Sequence, residues 1–414
     1  MLQKHLVIVG SGWAGMRLAR ELKNVPKQNL RITLVSDSPT FRYSAALYRV
    51  ATGSKEREAI IPIGEIIQDL PNVDFVRAKV THIDREKKTL RTTDGTTIHY
   101  DFAVLALGMI TTYFGIPGIK ERSYSIKTAK ELRQFRTHLH QELLDEHAPD
   151  KNYVVIGAGA TGVELAAALT SYLKEVVRRH GLRRRRITVD VIEAAPRVLP
   201  ASPETVSRKA LMRLKKLGVR VLLNKKVESE EEDFLVLDNG KIPTHTVIWT
   251  AGVTNSPFFK ENQSQFNLNE RGKVIVDEHL RVDDSLYVIG DNADTPYSGL
   301  GLTAVHNGTF VGKDIKRRLA GKETPPYKPL KPATVVPVGK RWAIFFYRNI
   351  TIAGVFGAIL RSLADLVAYS DIVGWRKALV IWIQTDESEE TCVVCKSTLD
   401  HTLHGSPLSP HRSQ

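Results

Sequence analysis

The chain has 414 residues, 42% hydrophobic and 25% charged, and its 59 Lys and Arg against 45 Asp and Glu leave a formal charge of +14. That length suggests two or three domains at roughly 150 residues each, and the composition excludes collagen-like, disordered and membrane-integral classes; no run approaches the about 18 apolar residues of a membrane span. Two cysteines exclude a disulfide-stabilised secreted scaffold, no secretory signal precedes residue 6, so the expected setting is intracellular, and the positive excess suits nucleic acid, an anionic membrane or an acidic partner.

Residues 6–9, Leu-Val-Ile-Val, predict a buried strand. Gly10-Ser11-Gly12-Trp13-Ala14-Gly15 follows it and opens a helical pattern, and a second strand over 31–36 ends beside Asp37. In such a unit the first glycine permits a tight turn, the second admits a pyrophosphate to the backbone, and the third lets helix pack on strand. Asp37 is spaced to accept hydrogen bonds from a ribose.

The unit recurs. A strand over 153–156 leads into Gly157-Ala158-Gly159-Ala160-Thr161-Gly162, and the strand over 187–192 closes on Glu193. Two complete units imply two dinucleotides. An acid at Glu193 with no arginine directly beside it favours NAD over NADP, although Arg197 follows soon after. Each unit is succeeded by a hairpin, with turns at 93–95 and 238–240, and by a strand closing on glycine, at Gly108 and Gly252. A further strand over 285–289 closes on Gly290 and Asp291, and a helix runs from near Gly299 to Leu319. After turn-rich residues 322–329, residues 341–347 and 350–356 predict a strand pair, and 357–369 and 371–384 predict helices. The last 30 residues are polar and are expected to be loosely ordered. The fold class is α/β, with two Rossmann-type dinucleotide-binding domains and a C-terminal α+β region.

This combination resembles the type II NADH dehydrogenases (NADH:quinone oxidoreductases), two-dinucleotide-binding-domain flavoproteins of the pyridine nucleotide-disulfide oxidoreductase-like superfamily. The likeness covers about residues 4–384 and includes residues 41–53, whose Leu47-Tyr48-Arg49-Val50-Ala51-Thr52-Gly53 looks like a family stretch, and Ile116-Pro117-Gly118. The resemblance implies FAD at Gly10, Gly12, Trp13, Ala14, Gly15, Asp37, Gly108, Gly290 and Asp291. It implies NAD(H) at Gly157, Gly159, Thr161, Gly162, Glu193 and Gly252. The corresponding division is FAD domain 1–115 and 272–322, NAD(H) domain 116–271, a membrane-anchoring or dimerising region 323–385, and a tail 386–414. The implied activity passes hydride from NADH to FAD and then electrons to a membrane quinone, without proton pumping. A flavin suits this role because it accepts hydride and releases electrons to other acceptors.

Glu164 matches the family's acid near the nicotinamide, and is expected to be catalytic; read by residue alone, it also suits a first-turn acid complementing the helix dipole. Two family glutamines near the quinone are replaced by Leu302 and His306. His306 could hydrogen-bond a quinone carbonyl and supply a proton, or be a satisfied helix-surface residue.

The cysteines add an exclusion. Disulfide reductases of this superfamily carry a redox cysteine pair just after the first acid, whereas residues 38–53 hold none and the cysteines are Cys392 and Cys395. These two, with His401 and His404, suit a metal site, a redox pair or a silent tail, and no metal is expected. The predicted C-terminal helices alternate apolar residues with Arg361, Asp365, Arg376 and Lys377 and carry Trp375 and Trp382. This pattern suits an interfacial anchor on an anionic membrane surface, or packing in a homodimer. The expected location is peripheral, at the cytoplasmic face of the cell membrane. Arginines at 178–186 suit a helix end and a solvated loop, or attraction to anionic lipid; without interleaved aromatics they do not suggest nucleic acid. The rival functions are a soluble NADH-dependent reductase of an iron–sulfur protein or oxygen, and an apoptosis-inducing-factor-like NADH-sensing flavoprotein.

Overall fold

Short apolar runs between glycine turns and helices build two parallel sheets. The computed structural model describes residues 3–144, 152–179 and 187–385. The first sheet has the order Arg281–Asp283, Leu286–Val288, Phe102–Leu105, Lys4–Val9, Leu30–Ser36, Val73–Arg77. All its pairs are parallel except the antiparallel edge pair of Arg281–Asp283 with Leu286–Val288. Leu6, Val7 and Ile8 are fully buried, as a central parallel strand covered on both faces requires. The second sheet is wholly parallel, in the order Arg220–Leu223, Thr188–Glu193, Asn152–Ile156, Thr246–Trp249.

The chain passes between the sheets twice. The outward passage contains Met109–Thr111 and the return contains Val253–Asn255, and these two short strands pair with each other, antiparallel. Both hairpins foreseen in the sequence form, Thr89–Thr92 with Thr97–His99 and Phe234–Leu237 with Gly240–Pro243.

Helix α1 (Trp13–Glu21) follows the first glycine turn and α2 (Ala160–Arg179) the second. Helix α3 (Gly301–Leu319) lies along α1. Gly308 makes that approach possible, because a Cβ there would strike the Ala14 carbonyl oxygen.

The C-terminal region differs from the pattern-based expectation in two respects. A third strand, Thr334–Pro337, joins Ala343–Tyr347 and Ile350–Gly354 in an antiparallel sheet. Helix α4 (Val355–Val373) begins immediately after that sheet, and Gly374, at φ +79°, separates it from α5 (Trp375–Ile383). The apolar face of α4 points outward. Arg361 and Asp365 face inward and are buried, while Val355, Phe356, Ile359, Leu363 and Val367 are exposed. Trp375, Leu379, Val380 and Ile383 of α5 are likewise exposed. The Trp382 indole N–H donates to the Ser362 carbonyl at 2.7 Å and ties the two helices together. Among the described residues no helix is long and apolar enough to cross a membrane.

Candidate functional site

The first glycine turn ends in a helix that lacks a cap. Gly12 occupies the N-cap position of α1, where no side chain can accept from the opening N–H groups, so these remain free for an anion. Gly10 sits at φ +111°, and a Cβ there would strike the Ala106 carbonyl, whereas at Gly12 a Cβ would meet nothing within 4 Å. The turn is therefore closed behind and open in front. That opening belongs to a cleft lined by Gly12, Trp13, Ala14, Gly108, Gly290 and Asp291 together with Ser44, Ala106, Ile289, Gly299, Gly301 and Ala304. Helix α3 also has no side-chain cap and presents Gly301 and Ala304 to the cleft. Two uncapped helix N-termini thus reach one concavity.

Six of the nine residues expected around a flavin dinucleotide meet in this cleft. Gly10 and Gly15 lie behind it, shaping the turn. Asp37 is exposed at the end of Leu30–Ser36. Burial raises the Asp291 carboxyl above its ordinary range, against the Gly299 N–H and Lys273; its Oδ1 accepts from that N–H at 3.1 Å.

The second turn repeats the design. Gly157 lies at φ +97°, and at Gly159 a Cβ would again meet nothing within 4 Å. Gly159 and Thr161 are exposed on the open rim. The Glu193 carboxylate accepts from the Ala158 N–H at 2.7 Å and the Ala195 N–H at 2.8 Å. It braces the glycine turn and retains acceptor capacity for a ribose hydroxyl. The Arg197 guanidinium is engaged with the Ser202 and Pro200 carbonyls, away from a role beside Glu193. Replacing Glu193 by Arg removes both acceptors and brings a cation against a positively polarised turn. NADH affinity, measured by titration, is expected to fall at least about tenfold, the equivalent of 1.4 kcal/mol; unchanged affinity would remove Glu193 from the nucleotide site.

Glu164 lies in the second turn of α2, since the helix starts at Ala160; the first-turn dipole reading therefore does not apply. Its carboxyl is pushed up to about 8 by burial, against the attraction of Arg361 and Arg49. Those two arginines belong to a buried cluster that sequence reasoning missed. Asp365 pairs with Arg361 and with Arg49, the latter at 2.8 Å, and accepts from the Tyr43 hydroxyl. Arg49 also pairs with Glu58 at 2.9 Å. Burial alone would raise the Asp365 carboxyl, but Arg361, Arg49 and Tyr43 hold it below the usual range. Tyr43 meets Trp13 edge-on, with ring centroids 5.3 Å apart. Because Trp13 lines the cleft, the cluster links the cleft wall to α4.

Leu302 and His306 share one face of α3. Leu302 is exposed, and His306 is half-buried with its Nδ1 3.1 Å from the Tyr327 hydroxyl. Burial lowers the imidazole's proton affinity, and Lys313 acts in the same direction. Neither residue lines the glycine cleft.

The family model for pyridine nucleotide-disulphide oxidoreductases matches residues 4–309. The chain belongs to this family. A Staphylococcus aureus protein named type II NADH:quinone oxidoreductase is 27% identical over 392 residues, covering 90% of this chain and 96% of that protein. In structure, the NDH2 of Plasmodium falciparum, solved in complex with NADH, superposes with a TM-score of 0.82 at 16% identity, covering 92% of this chain and 98% of that one. The sulfide:quinone oxidoreductase of Aquifex aeolicus gives 0.75 at 20% identity, covering 94% and 98%. The chain has no cysteine before residue 392, so among the described residues no disulfide adjoins the cleft. Cys392, Cys395, His401 and His404 lie outside the described residues, as do arginines 183–186; Arg178 and Arg179 end α2 and pair with Glu175.

Proposed function

We propose that the protein is a peripheral FAD-dependent NADH dehydrogenase that passes electrons to a membrane quinone without pumping protons. FAD is held by residues 1–115 and 272–322, with Gly12, Trp13, Ala14, Gly108, Gly290 and Asp291 around it; residues 116–271 hold NADH through Gly157, Gly159, Gly162 and Glu193. The open cradles at Gly12 and Gly159 fit these groups, and the bound flavin supplies the exchange between hydride and electron transfer. The uncapped start of α1 and the open turn at Gly159 receive phosphate groups, Asp291 receives hydroxyls, and Glu164 orients the nicotinamide while holding a proton at neutral pH.

The observation that carries the membrane acceptor is the outward face of α4 and α5. Phe356 is 74% exposed and Trp375 63% exposed, beside seven further exposed aliphatic residues. Such a face is costly in water and suits immersion at a lipid surface; the exposed Arg376 supplies a cation for anionic headgroups, while Lys377 is engaged with Asp69 and the Glu65 carbonyl. Attachment there, at the cytoplasmic face where NADH is available, brings quinone toward Leu302 and His306. The name and near-complete coverage of the Staphylococcus relative support the same acceptor.

The test is stopped-flow mixing of NADH-reduced protein with a short-chain quinone, an iron–sulfur protein and oxygen in turn. Rapid reoxidation by quinone is expected; reoxidation by the iron–sulfur protein alone would replace this reading with a soluble reductase. In parallel, the Phe356→Asp/Val380→Asp variant is expected to remain in the supernatant when sedimented with anionic vesicles that carry the unaltered protein down.

A further inference from the structure

The two passages between the sheets are joined by more than their own strand pairing. Asn292 stands directly after Asp291 and is fully buried, and Asn255 closes the return strand and is buried too. The Asn292 side chain addresses Gly108 from both sides: its Oδ1 accepts from the Gly108 N–H at 2.8 Å, and its Nδ2 donates to the Gly108 carbonyl at 2.8 Å. The same Nδ2 donates to the Asn255 Oδ1 at 2.6 Å. Asn255 in turn donates to the Gly272 carbonyl, and its Oδ1 also accepts from the Ser256 N–H at 2.9 Å.

These contacts form one directed chain, Asn292 to Asn255 to Gly272, with Gly108 clamped at its head. Its members are the cleft wall, the acid-bearing turn, the return strand and the segment re-entering the first sheet. Gly108 lies at φ +68°, a conformation with few alternatives once both its polar groups are held. Amide orientation is fixed, because Gly108 offers one donor and one acceptor and only one placement of oxygen and nitrogen satisfies both. Buried amides in such a chain are costly to leave unpaired, so the chain favours a single arrangement.

We propose that Asn292 and Asn255 form an amide clasp that fixes the position of the second sheet's glycine turn relative to the cleft, making both positioning residues for hydride transfer. The consequence rests on the function proposed above; the clasp itself does not. Hydride transfer is sensitive to displacements of about 1 Å, whereas electron release to an acceptor at the cleft does not depend on where the second sheet sits. Removing the clasp therefore affects one half-reaction.

The test uses Asn255→Ala in the full-length protein, with Asn255→Asp, which retains the oxygen facing Asn292, as the conservative variant. Hydrogen–deuterium exchange without nucleotide is expected to quicken at least about tenfold in residues 109–111 and 253–255 of the alanine variant, and to stay unchanged in 4–9 and 152–156. Stopped-flow reduction by saturating NADH is expected to slow at least about tenfold, with reoxidation by quinone unchanged and partial recovery in the aspartate variant. Unchanged exchange at 109–111 overturns the clasp. Quickened exchange with undiminished reduction, or with both half-reactions slowed alike, overturns the positioning role. If unaltered protein is not reduced by NADH, the proposed function falls, while the exchange result still decides the clasp.

Discussion

Asp365→Ala is expected to be among the most destabilising single substitutions in the molecule, costing about 3–5 kcal/mol in chemical denaturation. The carboxylate is 2% exposed and stands between two guanidiniums, Arg49 and Arg361, with the Tyr43 hydroxyl donating to it as well. Desolvating these charges is tolerated because they neutralise one another. Removing the acid leaves Arg361 with its hydrogen bond to the Ala45 carbonyl at 2.9 Å and Arg49 with Glu58, but strands one buried positive charge. The double variant Arg361→Leu/Asp365→Leu is expected to be less damaging than Asp365→Ala, since buried ion pairs are often replaced by apolar residues at little cost. Arg49 retains Glu58 in that background. A double-mutant cycle showing simple additivity would mean that the pair is not coupled.

What makes this cluster costly to break also made it invisible to sequence reading. Arg49 and Asp365 are 316 residues apart, so no local spacing announces their meeting. Arg361 and Asp365 were visible at helical spacing, but a periodic pattern specifies which residues share a face and not which face turns inward. On α4 the charged stripe found partners inside, and the apolar stripe was left outside. Both glycine turns, by contrast, were legible because their requirements are local. A left-handed first glycine, an open second and a crowded third are set by a few consecutive residues. Thr334–Pro337 escaped notice because it is short and follows a proline-rich stretch; its pairing with Ala343–Tyr347 supplies its order. Asn292 and Asn255 were equally unannounced, since a single asparagine after a strand commonly marks a turn. Their role exists only where the two passages between sheets meet. The cleft was therefore readable wherever backbone conformation decides it, and unreadable wherever tertiary pairing does.

Glu164 gives the cluster a measurable dependence on pH. The group holds its proton to about 8 in the folded protein, chiefly because burial penalises the anion and Asp365 adds repulsion, with Arg361 and Arg49 opposing. In the unfolded chain the same carboxyl ionises near its ordinary value of 4.5. Between those values the native state binds more protons than the unfolded state, so this group makes stability fall as pH rises, levelling off above about 8. At about 1.4 kcal/mol per unit of difference the effect amounts to several kcal/mol. Glu164→Gln is isosteric and has nothing to ionise. Its melting temperature relative to the unaltered protein is expected to climb steadily from pH 5 to pH 8 and then hold; a difference that stays flat across this range would show that Glu164 is not a buried neutral acid. The charge balance leads to the same expectation. With Glu164 protonated, two guanidiniums face the two carboxylates of Glu58 and Asp365, and ionising Glu164 adds an uncompensated negative charge to the cluster. On the proposal that the protonated Glu164 orients the nicotinamide, turnover with quinone should decline as pH passes about 8, and the glutamine variant, which has nothing to ionise, should lack that limb.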